Sequence, residues 1–130
     1  MAGWGSGSFD NEDAQEWLKQ LPQLTTDDLQ QVLSRVDDET YLEAPESGAI
    51  VAAAEAVATL KGVPPEAAPQ VITGWATKIK PESLADLAAL AFRAVQRVRT
   101  NSELKDLWLE ADGLNDWSAN LRNLEKRLAE

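Results

Sequence analysis

The sequence contains no cysteine and no histidine. Without thiols it forms no disulfide and offers no thiolate nucleophile, and without thiol or imidazole it lacks the ligands of nearly all closed zinc sites. A Ser-His-Asp arrangement is excluded, which leaves carboxylates, Lys, Tyr and Ser for any acid–base chemistry, and hard oxygen-binding cations as the available metal type. Apart from five Trp, aromatics are scarce: two Phe and one Tyr. No run approaches the ~18 apolar residues of a membrane-spanning helix, and no basic stretch leads into an apolar one at the N-terminus. The expected address is therefore the cytoplasm, with no membrane partner. Bases are scarce in one half only. Residues 1–60 hold 12 acids and 2 bases (Lys19, Arg35), a charge of −10, whereas residues 61–130 hold 10 of each. Such a field repels nucleic-acid phosphate and anionic lipid, and steers basic proteins or cations toward the surface.

What the chain does have is apolar spacing near 3.6 residues along most of its length, which predicts an all-α protein. At 130 residues, folding hides roughly two-thirds of the unfolded chain's surface, enough for one core and one domain over 1–130. The expected architecture is a compact bundle of about six or seven short helices with an ordered Gly-rich N-terminal strap. The first helix follows Phe9, with Asp10 as N-cap and Asp13 near N3, and places Ala14, Trp17, Leu18 and Leu21 on one face before Pro22. Thr25 with Asp28 opens the second as a capping box, showing Leu29, Val32, Leu33 and Val36. An acidic connection, "VDDETYLEAPESG", leads to "IVAAAEAVATL", which is apolar nearly all round and so reads as the buried central helix, with Pro45 in its first turn and Gly62 at its end. A fourth helix carries Val71, Ile72, Trp75 and Ile79, and ends by Pro81. Ser83 with Asp86 opens a fifth, with Arg93, Arg97 and Arg99 available to solvent or to acidic partners. "TNSE", Thr100 to Glu103, reads as a capping box for a sixth that Gly113 breaks. The last helix repeats apolar residues at 114, 117, 121, 124 and 128, a seam for docking on the bundle.

Two features invite a functional reading. The first is Gly3 to Leu18, "GWGSGSFDNEDAQEWL", where glycines and two large aromatics precede a cluster of acids. It reads as a strap pinned by Trp4 and Phe9. A phosphate cradle is the alternative, but Gly3, Gly5 and Gly7 do not fit that spacing, no strand precedes them, and acids follow where phosphate would sit. The second is Glu55, a lone carboxylate inside "AAAEAVA". An isolated buried charge is very costly. Glu55 must accept hydrogen bonds from the strap (backbone N–H or the Trp4 indole), lie exposed on a thin polar stripe, or serve a ligand or reaction.

Asp10, Glu12, Asp13, Asp37, Asp38, Glu39, Glu43 and Glu46 lack the glycine and terminal-Glu spacing of a calcium loop, so no metal and no cofactor is assigned. The five Trp, at 4, 17, 75, 108 and 117, fall at core-facing positions, which favours packing over base stacking.

The words "GWGSGSFDNEDAQEWL", "YLEAPE", "AAAEAVATLKG" and "SELKDLWLEAD" together resemble a family of small bacterial proteins, domain of unknown function 4259. The most specific match is the opening W-G-x-G-x-F-D/E-N-x-x-A-x-x-W-L, here Trp4, Gly5, Gly7, Phe9, Asp10, Asn11, Ala14, Trp17 and Leu18. The resemblance runs nearly the full length and implies a bacterial single-domain protein. It implies no activity.

Charge and size point to a non-enzymatic protein–protein interaction module that offers Asp37, Asp38, Glu39, Glu43 and Glu46 to a basic partner protein. An immunity-type inhibitor of a basic nuclease toxin is the special case. No catalytic residue is assigned; the rival reading is a carboxylate-based metal-binding or hydrolytic enzyme using Glu55, Asp13, Glu43 and Glu46. A nucleic-acid partner is not expected, since it would require Lys78, Lys80, Arg93, Arg97 and Arg99 to gather on one face. The sequence leaves oligomeric state open.

Overall fold

The structure, a computed structural model, describes residues 7–38, 41–66, 68–81 and 83–130, and of Asp38 the backbone alone. Trp4 and Gly5, with the first part of the expected strap, and Glu39 lie outside the described residues. The described residues form helices α1 (Glu12–Gln20), α2 (Thr26–Leu33), α3 (Arg35–Asp38), α4 (Ala44–Leu60), α5 (Gln70–Lys78), α6 (Leu84–Thr100), α7 (Glu103–Glu110) and α8 (Leu114–Ala129), with one 3-10 turn at Leu21–Gln23 and no strand. All but the four-residue α3 run eight residues or more, so the substantial helices number seven.

α4 is the axis of the fold, packing against α1, α2, α5, α6, α7 and α8. Its residues Ile50 to Ala58 are buried without a break. Alanine makes this crowding feasible, because small side chains let neighbouring axes come near the short end of the usual 8–10 Å spacing. The other long helices bury one stripe each: Leu87, Ala91, Ala94, Val95 and Val98 on α6, and Trp117, Leu121, Leu124 and Leu128 on α8. The four Trp among the described residues are all buried, and the Trp75 indole N–H donates to the Leu24 carbonyl at 2.9 Å.

Several boundaries follow the local chemistry read from the sequence. Thr25 and Asp28 form a reciprocal capping box at the start of α2, Pro45 lies in the first turn of α4, and Gly62 ends that helix with φ +87°. Others differ. Asp10 is not the N-cap of α1: its carboxylate turns back to the Gly7 N–H at 2.9 Å, and Asn11 caps instead, accepting from the Ala14 N–H at 2.8 Å. Phe9 thereby moves one place further from the helix and packs against the core from outside. Thr100 and Glu103 form no box either. α6 runs through Thr100, Ser102 caps α7 by accepting from the Lys105 N–H at 3.1 Å, and Glu103 serves another helix altogether, accepting the Ala44 N–H at the start of α4 at 2.8 Å. Ser83 flanks α6 but makes no side-chain capping bond.

Gly113 separates α7 from α8, yet the left-handed residue at that break is Asp112, with φ 61°. The constraint on Gly113 is space, since a Cβ there would lie 2.7 Å from Cε3 and 2.8 Å from Cζ3 of Trp108. Gly113→Ala should therefore cost about 1–3 kcal/mol through overpacking. Gly74, in the exposed middle of α5 with nothing within 4 Å of its would-be Cβ, is the control. Gly74→Ala should stabilise by about 0.5–1 kcal/mol through helix propensity. Urea unfolding of the two variants should shift the midpoint in opposite directions.

Candidate functional site

Glu55 is 1% exposed at the centre of the all-apolar stretch of α4. Its counter-charge comes from the other end of the chain. Asn120, Asn123 and Arg127 share one face of α8, beside the buried Leu seam, because their spacings of three and four residues bring them into register. Arg127 forks onto the carboxylate, Nη1 to Oε1 at 2.7 Å and Nη2 to Oε2 at 3.2 Å. Its Nε donates to Asn123 Oδ1 at 2.8 Å, and Nη1 also reaches the Val63 carbonyl at 3.3 Å. The Ser8 hydroxyl donates to Glu55 Oε2 at 2.6 Å and accepts from Asn120 Nδ2 at 3.0 Å. One carboxylate thus joins Ser8, α4 and α8. Both of its oxygens are engaged, and among the described residues no buried side-chain polar atom lacks a partner. The exposed-stripe reading of Glu55 does not hold, because the residue is enclosed. The expected Trp4 contact lies outside the described residues.

A second inward pair, Arg99 with Glu125, links α6 to α8 at 2.6 and 3.1 Å. The hydrogen bond to Glu125 raises the Arg99 pKa further above its already high value, so the charge is fixed at any working pH.

Of the acids of the 37–46 segment, Asp37 and Glu46 do not stand as free charges. Asp37 pairs with Arg93 at 3.2 Å and Glu46 with Arg35 at 3.4 Å. Both sides of the Asp37 pair are more than half exposed, so it contributes about 0–1 kcal/mol. The Asp38 side chain and Glu39 lie outside the described residues. Glu43 is exposed at the foot of α4, next to Tyr41. The carboxylates around Tyr41 come mainly from α7, where Glu103, Asp106 and Glu110 fall on one face. Partial packing of the ring, and then the charges of Glu103, Asp106, Glu43 and Glu110, raise the Tyr41 phenol above its ordinary 10.0. Tyr41 is 47% exposed, and Leu109 on the flank of the same helix is 57% exposed.

Of the remaining sequence candidates, Trp17 is a core residue, Asp10 closes the Gly7 turn, and Asp13 lies in the first turn of α1. The described residues contain no group of three or more Asp and Glu able to hold a metal ion, and none of their helices is long and apolar enough to cross a membrane. The arginines of α6 face separate partners: Arg93 meets Asp37, Arg97 meets the Val36 and Asn101 carbonyls, and Arg99 meets Glu125. Sequence reading missed Ser8, Asn120, Arg127 and the α7 acids. Arg127 was the most accessible of these, since a carboxylate inside an apolar helix demands a cation and Arg127 flanks the buried seam of α8.

These features define an all-helical protein in which Ser8, ahead of the first helix, and the last helix close on a charge inside the central helix. The model of the family described as Domain of unknown function (DUF4259) matches residues 3–120, and the chain belongs to that family. Ser8, Glu55 and Asn120 fall within the matched span and Arg127 beyond it. No curated protein and no solved structure matches the chain.

Breaking a buried pair costs about 3–5 kcal/mol, because the survivor is left as an unpaired charge. Arg127→Met alone should therefore lower unfolding stability by about that much, whereas Glu55→Met with Arg127→Met should recover most of the loss. Denaturant unfolding of the two singles and the double checks this: a loss in the double equal to the sum of the single losses would mean that the pair is uncoupled.

Proposed function

We propose that this chain is a non-enzymatic interaction module whose acidic surface receives a basic partner protein. The observation that carries the reading is Tyr41: a half-exposed aromatic among the carboxylates of Glu43, Glu103, Asp106 and Glu110, with Leu109 exposed on the same helix. Aromatic anchors inside a charged rim are the composition of a protein interface, since tyrosine combines a large apolar ring with a polar end at low entropic cost. The −10 charge of residues 1–60 adds a long-range field that speeds encounter with a cationic protein. An immunity-type inhibitor of a basic nuclease toxin is the special case of this reading that the charge and size favour. Cytoplasmic residence, the expected address, suits that role.

In this reading the segment proposed from sequence contributes Glu43 directly. Asp37 contributes after exchanging Arg93 for the partner's cation, a small cost for a pair exposed on both sides, and Glu46 after leaving Arg35. The combined test is capture from lysate of the source cells at low salt, with Glu43→Gln/Asp106→Asn/Glu110→Gln as the control surface. A basic protein held by the parent, released by salt and absent from the control is the expected result. Equal retention on the control would overturn the assignment of the surface, and retention of no basic protein would overturn the function.

The chain has a single Tyr, so phenolate absorbance reports the potential at that one position. The Tyr41 titration should lie above 10.0 in the parent and move down on Asp106→Asn/Glu110→Gln or on raising the salt, because each weakens the negative field that opposes phenolate formation. A titration unchanged by both would show that those acids do not act on Tyr41.

A further inference from the structure

Along the edge of its buried face, the first half of α6 carries partly buried apolar residues beside exposed Ala85 and Ala89. Leu84, Ala88 and Phe92, with exposed Ala89, form one wall of a groove of about 680 Å³, and Leu128 near the end of α8 forms the other. That volume lies within the 300–1,000 Å³ usual for small-ligand sites, which are likewise mostly apolar with a few polar groups that orient the ligand. Here those groups are Lys61, Arg93 and Glu130.

The charges are unevenly committed. The Lys61 ammonium, a three-donor group, bonds the main-chain carbonyls of Leu128, at 2.6 Å, and of Glu130. It sits where the last carbonyls of α8 favour a cation, and it retains a third donor. Arg93 holds Asp37 only through a solvent-screened pair, so its guanidinium can exchange partners at little cost. Glu130 is the opposing charge.

The apolar wall runs from Leu84 to Phe92, about 12 Å of helix rise. A wall of that length with cations at its edge matches a flexible chain that ends in an anion. We propose that this groove binds a single-chain anionic amphiphile, a medium-chain fatty acid, with its chain along Leu84, Ala88, Phe92 and Leu128 and its carboxylate at Arg93 and Lys61. The groove lies away from Tyr41 and α7 and meets the acidic surface only at the Arg93–Asp37 pair.

The probes are decanoate, decanol and decylammonium, each below its micellar concentration, titrated into the full chain by calorimetry and by backbone amide shifts. Decanoate should bind with shifts confined to α6, the end of α8 and the residues around Lys61. Decanol should bind several-fold more weakly and decylammonium more weakly still. Ala89→Trp, at an exposed position, should fill the groove and abolish binding of every probe. Arg93→Gln should weaken decanoate about tenfold and leave decanol unchanged, and Glu130→Gln should tighten decanoate. Melting curves matching the parent would establish that each variant folds, and Ala85→Trp replaces Ala89→Trp if the latter does not. Absence of decanoate binding, shifts elsewhere, full binding after the groove is filled, or decylammonium binding as well as decanoate would each overturn the proposal.

Discussion

Glu55 and Arg127 meet at 2.7 Å within a helix packing that is otherwise apolar, and the orientation of α4 depends on that contact. A helix with one hydrophobic stripe takes its rotation from the stripe, but α4 is buried all round through its middle and has none to follow. Turning it about its axis would exchange one alanine or valine for another at modest cost in buried area. The carboxylate removes that freedom: in any other rotation Glu55 would be sealed in without a counter-charge. Compared with well-packed apolar replacements, such a pair adds little net stability. What it supplies is a single angular setting for the helix that touches nearly every other one.

Ser8 and α8 are held by the same arrangement. Ser8 adds a third element to the carboxylate, and Asn120 ties that serine back to α8, so the beginning of the described chain is fixed by side chains rather than by a strand or a disulfide. Lys61 closes the far end of α8 through its carbonyls. The acidic surface lies elsewhere, at Tyr41 and α7, but Glu103 connects it to the core. Its carboxylate holds the first turn of α4 while its own N–H donates to the Leu42 carbonyl at 2.8 Å.

The features that were legible in the sequence are those decided within a few residues. The Thr25–Asp28 box, Pro45 in a first turn and Gly62 at a helix end each rest on chemistry three or four positions wide. The apolar periodicity of α6 and α8 was equally readable, because burial repeats with the helix turn. Where two neighbours could do the same job, sequence did not decide between them. Asp10 and Asn11 are both competent caps, and Asn11 takes the helix while Asp10 turns back to the Gly7 N–H. Glu103 was misread for the same reason, since its better donor came from Ala44, 59 residues away. The candidate site suffered most from this limit. A sum of charges identifies an acidic half, but whether Asp37 or Glu46 keeps its field depends on arginines brought from 56 and 11 residues away. The acids around Tyr41 come largely from the half whose charges balance.

The Glu55–Arg127 pair spans 72 residues of chain, and that separation has a consequence in time. At about 5–20 residues per second, a ribosome adds Arg127 roughly 4–14 s after Glu55. For that interval α4 has left the synthesis centre without the guanidinium that fixes its setting. The nascent chain can form local helices and capping turns early, but its most apolar helix has to wait for nearly the last turn of α8. The central element of the fold is thus among the last to be secured.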